Sequence, residues 1–209
     1  MRTVLVANRK GGVGKTMIAV SLAAALAGRD QRVAIADADR QQSSTAWLHR
    51  RPLDVAQIRG LDWSKASDIG EHPDKLDWLI IDAPGALKGS KAEKLIAKAK
   101  AVLTPVQPSV FDENSTRGFL SDIEDIKRVQ KGKVGVHVIA NRIRPRSRAG
   151  TQLCEEMERM GYPPLTNLSD RAVYGDYAAY GLSIFDRNLA SLRAVKAQWR
   201  PILNELGAG

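Results

Sequence analysis

Five short apolar runs restrict what this chain can become: Val4-Leu5-Val6-Ala7, Val33-Ala34-Ile35-Ala36, Trp78-Leu79-Ile80-Ile81, Val102 to Val106 and Val134 to Ala140. Each is nearly continuous in apolar residues, the pattern of a strand covered on both faces, not of one with a wet side. Segments of helical length and spacing follow or separate them: Lys15 to Gly28, Lys88 to Lys100, Thr116 to Lys131 and Arg148 to Met160, with Gly28 and Gly161 as stop signals. Strand and helix in alternation imply an α/β fold, a doubly wound, mostly parallel sheet with helices on both faces. The chain has 209 residues, no Pro/Ser-rich linker and no internal repeat, so residues 1–209 are expected to form one domain.

In such sheets ligands lie beyond the carboxyl ends of the strands. The residues with chemistry to offer fall there: Lys10 to Thr16 after the first run, Asp37 and Asp39 after the second, Asp82 after the third, and Pro108 and Asn141 after the fourth and fifth. Gly11, Gly12 and Gly14 let backbone N–H groups converge on an anion, and a helix beginning near Lys15 adds its positive end. Lys15 can reach outer phosphates, and the Thr16 hydroxyl can bind a magnesium ion that bridges them. The generic loop pattern G-x-x-x-x-G-K-[ST] fails at one place, because Arg9 stands where it asks for glycine. Asp37-Ala38-Asp39 ends the second run, where a carboxylate can position water or hold a metal-bound one. Trp78 to Ile81 ends in Asp82-Ala83-Pro84-Gly85, an acid followed by a turn.

The run Lys10 to Thr16 instead fits K-G-G-x-G-K-[ST], with a lysine before the paired glycines. On that motif the sequence resembles the ParA/MinD family of ATPases, and is most similar to the small ParA-type partition and cargo-positioning members that lack an N-terminal DNA-reading domain. The likeness extends through Asp170-Arg171-Ala172-Val173-Tyr174 and Gly181-Leu182-Ser183-Ile184-Phe185, so it spans essentially the whole chain. It implies ATP/ADP and Mg²⁺ as cofactors and an ATP-dependent homodimer in which Lys10 reaches the partner's phosphates. It further implies catalytic roles for Lys10, Lys15 and Asp39, with Asp39 orienting the attacking water, and a metal set of Thr16, Asp37 and Asp82. The nucleotide-binding set it implies is Lys10, Gly11, Gly12, Val13, Gly14, Lys15, Thr16 and Met17, with Pro108, Asn141 and Arg142 toward the base. One departure stands out: the family pattern D-x-D-P-Q reads Asp39-Arg40-Gln41 here, which loses a proline and adds a positive charge.

A formal net charge of +9 makes a polyanionic partner plausible on electrostatic grounds. Arg193, Lys196 and Arg200 share one face of a predicted closing helix, with Leu189, Leu192, Val195 and Trp199 on another. A second concentration, Arg142, Arg144, Arg146 and Arg148, falls after the fifth run. Either could contact DNA phosphates without reading bases; Arg144, Arg146, Arg193, Lys196 and Arg200 are the candidates. The resemblance adds nonspecific DNA and a small ParB-like adaptor as partners, and segregation of a plasmid, chromosome or protein cargo as the outcome. The lone Cys154 forms no internal disulfide and no zinc cluster, and it counts against a metal-cluster or cofactor-assembly ATPase. A reducing cytoplasm with nucleoid association is therefore the expected location. A MinD-like regulator that binds membranes through its last helix is the alternative, disfavoured because that helix is needed to cover the sheet. A nucleotide-binding module that never hydrolyses also stays open through Arg40.

Overall fold

The computed structural model describes residues 1–65, 70, 72–85, 87 and 89–209, with only the backbone of residues 110–115. Seven parallel strands form one sheet in the order β3-β2-β4-β1-β5-β6-β7. The strands are β1 (Arg2–Val6), β2 (Val33–Asp37), β3 (Arg59–Asp62), β4 (Trp78–Asp82), β5 (Ala101–Val106), β6 (Gly135–Ile143) and β7 (Thr166–Ser169). The five expected strands are the five central ones. β3 and β7 were not foreseen: Arg-Gly-Leu-Asp and Thr-Asn-Leu-Ser carry no apolar run, because each forms an edge of the sheet with much of its surface outside the core.

The helices are α1 (Lys15–Ala27), α2 (Ser43–His49), α3 (Gly89–Lys98), α4 (Val110–Glu124), α5 (Lys127–Gln130), α6 (Arg148–Arg159), α7 (Val173–Ala178), α8 (Arg193–Ala197) and α9 (Arg200–Glu205). Strand side chains alternate between two cores. Val4, Val6, Ile35, Ile80 and Ile139 face α1 and the closing helices, where Trp199, Ile202 and Leu203 are buried. Leu5, Leu79, Ile81, Val102 and Val138 face the other way, onto Leu95 of α3, Phe119 of α4 and Leu153 of α6. α1 is buried almost all round because it lies between the sheet and the chain's last segments, and Ala and Leu at most of its positions suit that.

Four expectations about elements need correction. Of the segment Lys88 to Lys100, Lys88 lies outside the described residues and the helix is Gly89–Lys98. The segment Thr116 to Lys131 is two helices: α4 starts at Val110, and Ile126 interrupts it in an extended conformation (φ −76°, ψ 118°). Asn141 and Arg142 do not follow a strand but lie within β6, where pairing with β7 slips between Ala140 and Ile143 and Arg142 takes φ 55°. This is a bulge, which re-aims side chains at a sheet rim. The single closing helix is broken into α8 and α9, with Pro201 placed in the first turn of α9, where its missing N–H costs nothing. Leu189, assigned to its apolar face, is instead 51% exposed.

Candidate functional site

β1 is central, and its carboxyl end meets those of β2 and β4 in register: Val6 pairs with Asp82, and Asp82 with Asp37. Two acids and the start of the glycine loop are thus fixed on one rim by backbone pairing alone.

The loop is held from both sides. Asn8, fully buried, donates through Nδ2 to Pro105 O and to Thr116 Oγ1 of α4, both at 2.9 Å, and its Oδ1 accepts from Lys10 N at 3.1 Å. Three loop carbonyls are occupied by side chains: Lys10 O by Lys15 Nζ (2.9 Å), Gly12 O by Gln107 Nε2 (2.6 Å) and Val13 O by Asn141 Nδ2 (2.8 Å). Occupying the carbonyls frees the loop to present its N–H groups to an anion. Gly12 (φ 78°) and Gly14 (φ 96°) sit in the left-handed region that glycine tolerates, and a Cβ at Gly14 would lie 2.3 Å from Asn141 Nδ2. The turn after β4 comes close as well: a Cβ at Gly85 would stand 3.6 Å from Gly11 Cα and 3.8 Å from Lys15 Nζ.

The electrostatics of this rim are unusual. Asp82 is 1% exposed, and among the described residues neither carboxylate oxygen has a hydrogen-bond partner. Burial pushes its pKa up to about 7, assisted by Asp37, while the hydroxyls of Thr16 and Ser44 and the charge of Lys15 pull the other way. Those hydroxyls are near enough to act on the charge without completing a hydrogen bond to either oxygen; Ser44 Oγ is itself buried and unpartnered. Lys15, 7% exposed, has its pKa lowered by burial against the opposing pull of Asp82 and Asp39. Asp37 is engaged locally, Oδ1 accepting from Asp39 N (3.2 Å) and Oδ2 from Thr45 N in the first turn of α2 (2.8 Å). Asp39 is half-buried and accepts from Gln41 N at 3.0 Å.

Orphaned buried carboxylate oxygens are costly unless something else satisfies them. Asp82, Thr16 and Ser44 are all hard oxygen donors, which suits magnesium. Among the described residues no group of three His, Cys, Asp or Glu gathers.

Above this rim opens a cleft of about 1470 Å³, lined by Gly11, Gly12, Gly14 to Met17, Asp39 to Ser43, Pro84 and Gly85. A smaller one of about 340 Å³ adjoins it through Gly14, Met17 and Arg142, with Asn141 and Tyr174 also in its wall. The structure therefore brings together the loop, Asp39, Asp82, Asn141 and Arg142. Pro108 is not among the described residues lining either cleft; its neighbour Gln107 makes the loop contact instead. Arg40 lines the large cleft and is exposed. Ser44 and the Asn8 anchor were not foreseen, since a serine and an asparagine beside strands are too common in sequence to stand out; nor was the contact of Gln107 with Gly12 O.

The basic candidates divide. Arg144, Arg146, Arg193 and Arg200 are exposed, Arg144 approaching Asp170 at 3.5 Å. Lys196 does not belong to an outer stripe: Nζ donates to Arg187 O at 2.8 Å and lies 5.8 Å from the Phe185 ring centre, and partial burial lowers its pKa.

The sequence profile of the CobQ/CobB/MinD/ParA nucleotide binding domain matches residues 4–184. The maintenance of carboxysome distribution protein A of Halothiobacillus neapolitanus is 29% identical, over 98% of this chain and 95% of its own length. Its counterpart from Gloeobacter kilaueensis is 30% identical, over 98% and 94%. Among solved structures, the ATP complex of a Cyanothece McdA variant superposes with a TM-score of 0.76 at 17% identity, covering 100% of this chain and 97% of that one. The strand-end site and these likenesses agree: the chain belongs to the CobQ/CobB/MinD/ParA nucleotide-binding family, as an ATPase of the ParA/MinD positioning type.

Proposed function

We propose that this protein is an ATP-driven switch that positions a large protein cargo over nucleoid DNA with the help of a small adaptor. The observation that carries the nucleotide half of this reading is Asp82, buried at the foot of the cleft with both oxygens unpartnered beside Thr16 and Lys15. Asp82 and Thr16 would hold a magnesium ion there, and that ion would supply positive charge to offset the charge that develops on the phosphate. Asp82, once deprotonated, would offer its carboxylate and Thr16 its hydroxyl to the ion. Lys15 exchanges the Lys10 carbonyl for the outer phosphates. Gly11 to Thr16 supply the anion cradle, and Met17, Asn141 and Arg142 flank the adjoining cleft, where the base is placed. Asp39 orients the attacking water; Asp37 fixes the Asp39 turn through the backbone N–H groups that its oxygens accept, and keeps lone pairs with which it would support the metal.

Lys10 then makes the cradle a switch by reaching the partner's phosphates in an ATP-bound dimer. DNA is held through phosphate contacts from exposed Arg144, Arg146, Arg193 and Arg200, and hydrolysis releases it. Two relatives aligned over nearly their whole lengths are named for carboxysome distribution, which favours a protein assembly over a plasmid as cargo. The membrane alternative lacks support from the closing helices, whose Trp199, Ile202, Leu203 and Leu206 are buried in the core. Among the described residues no helix is long and apolar enough to cross a membrane.

The test is retention on a nonspecific DNA duplex with ATP, with ADP and without nucleotide, for wild type and Lys10→Ala. Retention should require ATP and vanish in the variant. Equal retention in all conditions would remove the switch.

A further inference from the structure

Away from the nucleotide clefts, α3, α4 and the link at Asp125 and Ile126 before α5 enclose a groove of about 270 Å³. Its floor is apolar, formed by Leu87, Ile96, Phe119 and Ile123, all at most 2% exposed. Its rim is acidic: Glu93, Asp122 and Asp125 line it and are exposed. On a chain of net charge +9 this is a local reversal of sign. The volume falls below that of a typical small-molecule pocket and suits one bulky apolar side chain.

The groove is wired to the glycine loop. Arg9, the residue before Lys10, lines it and pairs with Asp122 of α4. Its guanidinium packs on the same helix, where a Cβ at Gly118 would meet Arg9 Nη1 at 3.5 Å. One residue earlier, Asn8 bonds to Thr116 of α4 and to Lys10 N. The Arg9–Asp122 contact is imperfect, because among the described residues Arg9 Nε is buried without an acceptor. Such a pair is one that a better placed cation can replace.

We propose that this groove docks a basic amphipathic segment of the adaptor, an apolar side chain entering between α3 and α4 while its Arg or Lys residues meet Glu93, Asp125 and Asp122. In taking Asp122 from Arg9, the segment loosens the anchor on which Lys10 stands, and so carries the adaptor's presence to the phosphate loop. The identity of the partner as an adaptor rests on the positioning reading above; the docking chemistry does not.

A fluorescently labelled, amphipathic peptide of about twelve residues, with leucines on one helical face and arginines on the other, tests it against the full chain by anisotropy without nucleotide. A cationic peptide is repelled by most of a +9 surface, so binding must come from a local acidic patch. The expected result is salt-sensitive binding to wild type, weaker by roughly fivefold to tenfold for Glu93→Gln/Asp125→Asn, whose exposed positions leave the fold intact. Replacing the peptide's leucines with alanine should abolish it. No binding to wild type, or equal affinity for the double variant, overturns the proposal. The coupling is read separately: the peptide should change wild-type ATP turnover, and Asp122→Asn should remove that response, whereas an unaltered response in that variant refutes the route through Arg9. ATP-dependent dimerisation without peptide reports on the switch itself, so loss of one reading leaves the other standing.

Discussion

Replacing Asp82 by asparagine should make the nucleotide-free protein more stable and leave it unable to hydrolyse ATP. The buried carboxyl has its pKa raised from 3.8 to about 7. Each pKa unit is worth about 1.4 kcal/mol, so ionised Asp82 costs the fold on the order of 4 kcal/mol relative to a neutral group. The sign follows from proton counts. Between pH 4 and 7 the folded state keeps a proton that the unfolded state has lost, so stability falls as pH rises and levels off above the folded pKa. The advantage of Asp82→Asn should accordingly be small near pH 4.5 and reach about 4 kcal/mol at pH 8, or roughly 10 °C in melting temperature for a domain of this size. Denaturant titrations of wild type and variant at both pH values measure it, with phosphate release as the functional readout. Added Mg²⁺-ATP should stabilise wild type more at pH 8 than at pH 6, because only the ionised carboxylate accepts the metal. A variant that is no more stable than wild type at pH 8, or equally so at both pH values, would refute the electrostatic account of Asp82.

Gly14→Ala should abolish nucleotide binding: φ 96° strains an alanine by about 1–3 kcal/mol, and its Cβ, 2.3 Å from Asn141 Nδ2, breaks the bond to Val13 O. Isothermal titration with ATP checks this, and retained affinity would contradict the loop geometry. Asp186→Ala should cost about 3–5 kcal/mol in urea unfolding, because it strands Arg51, buried and bonded to Asp186 at 2.7 and 3.0 Å as well as to Ala56 O and Gly181 O. Arg51→Met/Asp186→Leu should recover part of that loss.

Much of this was legible in the sequence because it depends on local pattern. The central strands announced themselves as apolar runs covered on both faces, and Asp37 and Asp82 were readable as strand-end acids before pairing showed them side by side. The edge strands were not legible, since an edge needs little apolar surface and Arg-Gly-Leu-Asp reads as a turn. Long-range side-chain contacts were invisible for a different reason. Nothing near Gln107 says that its amide will meet Gly12 O, 95 positions away, or that Arg9 will pair with α4. The bulge at Asn141 and Arg142 depends on how β7 meets β6, and helical spacing alone suggested an outer basic stripe that Lys196 leaves for the Arg187 carbonyl. What the sequence placed on a helix face, tertiary packing reassigned.

The central claim of the proposed switch is that Lys10 joins two subunits through ATP. Light scattering of the Asp39→Ala background, which the proposed role of Asp39 predicts will hold ATP unhydrolysed, with and without Lys10→Ala measures it directly. The account predicts twice the monomer mass with Mg²⁺-ATP when Lys10 is present, and a nucleotide-bound monomer when it is alanine. A Lys10→Ala chain that dimerises as well as its parent would contradict it.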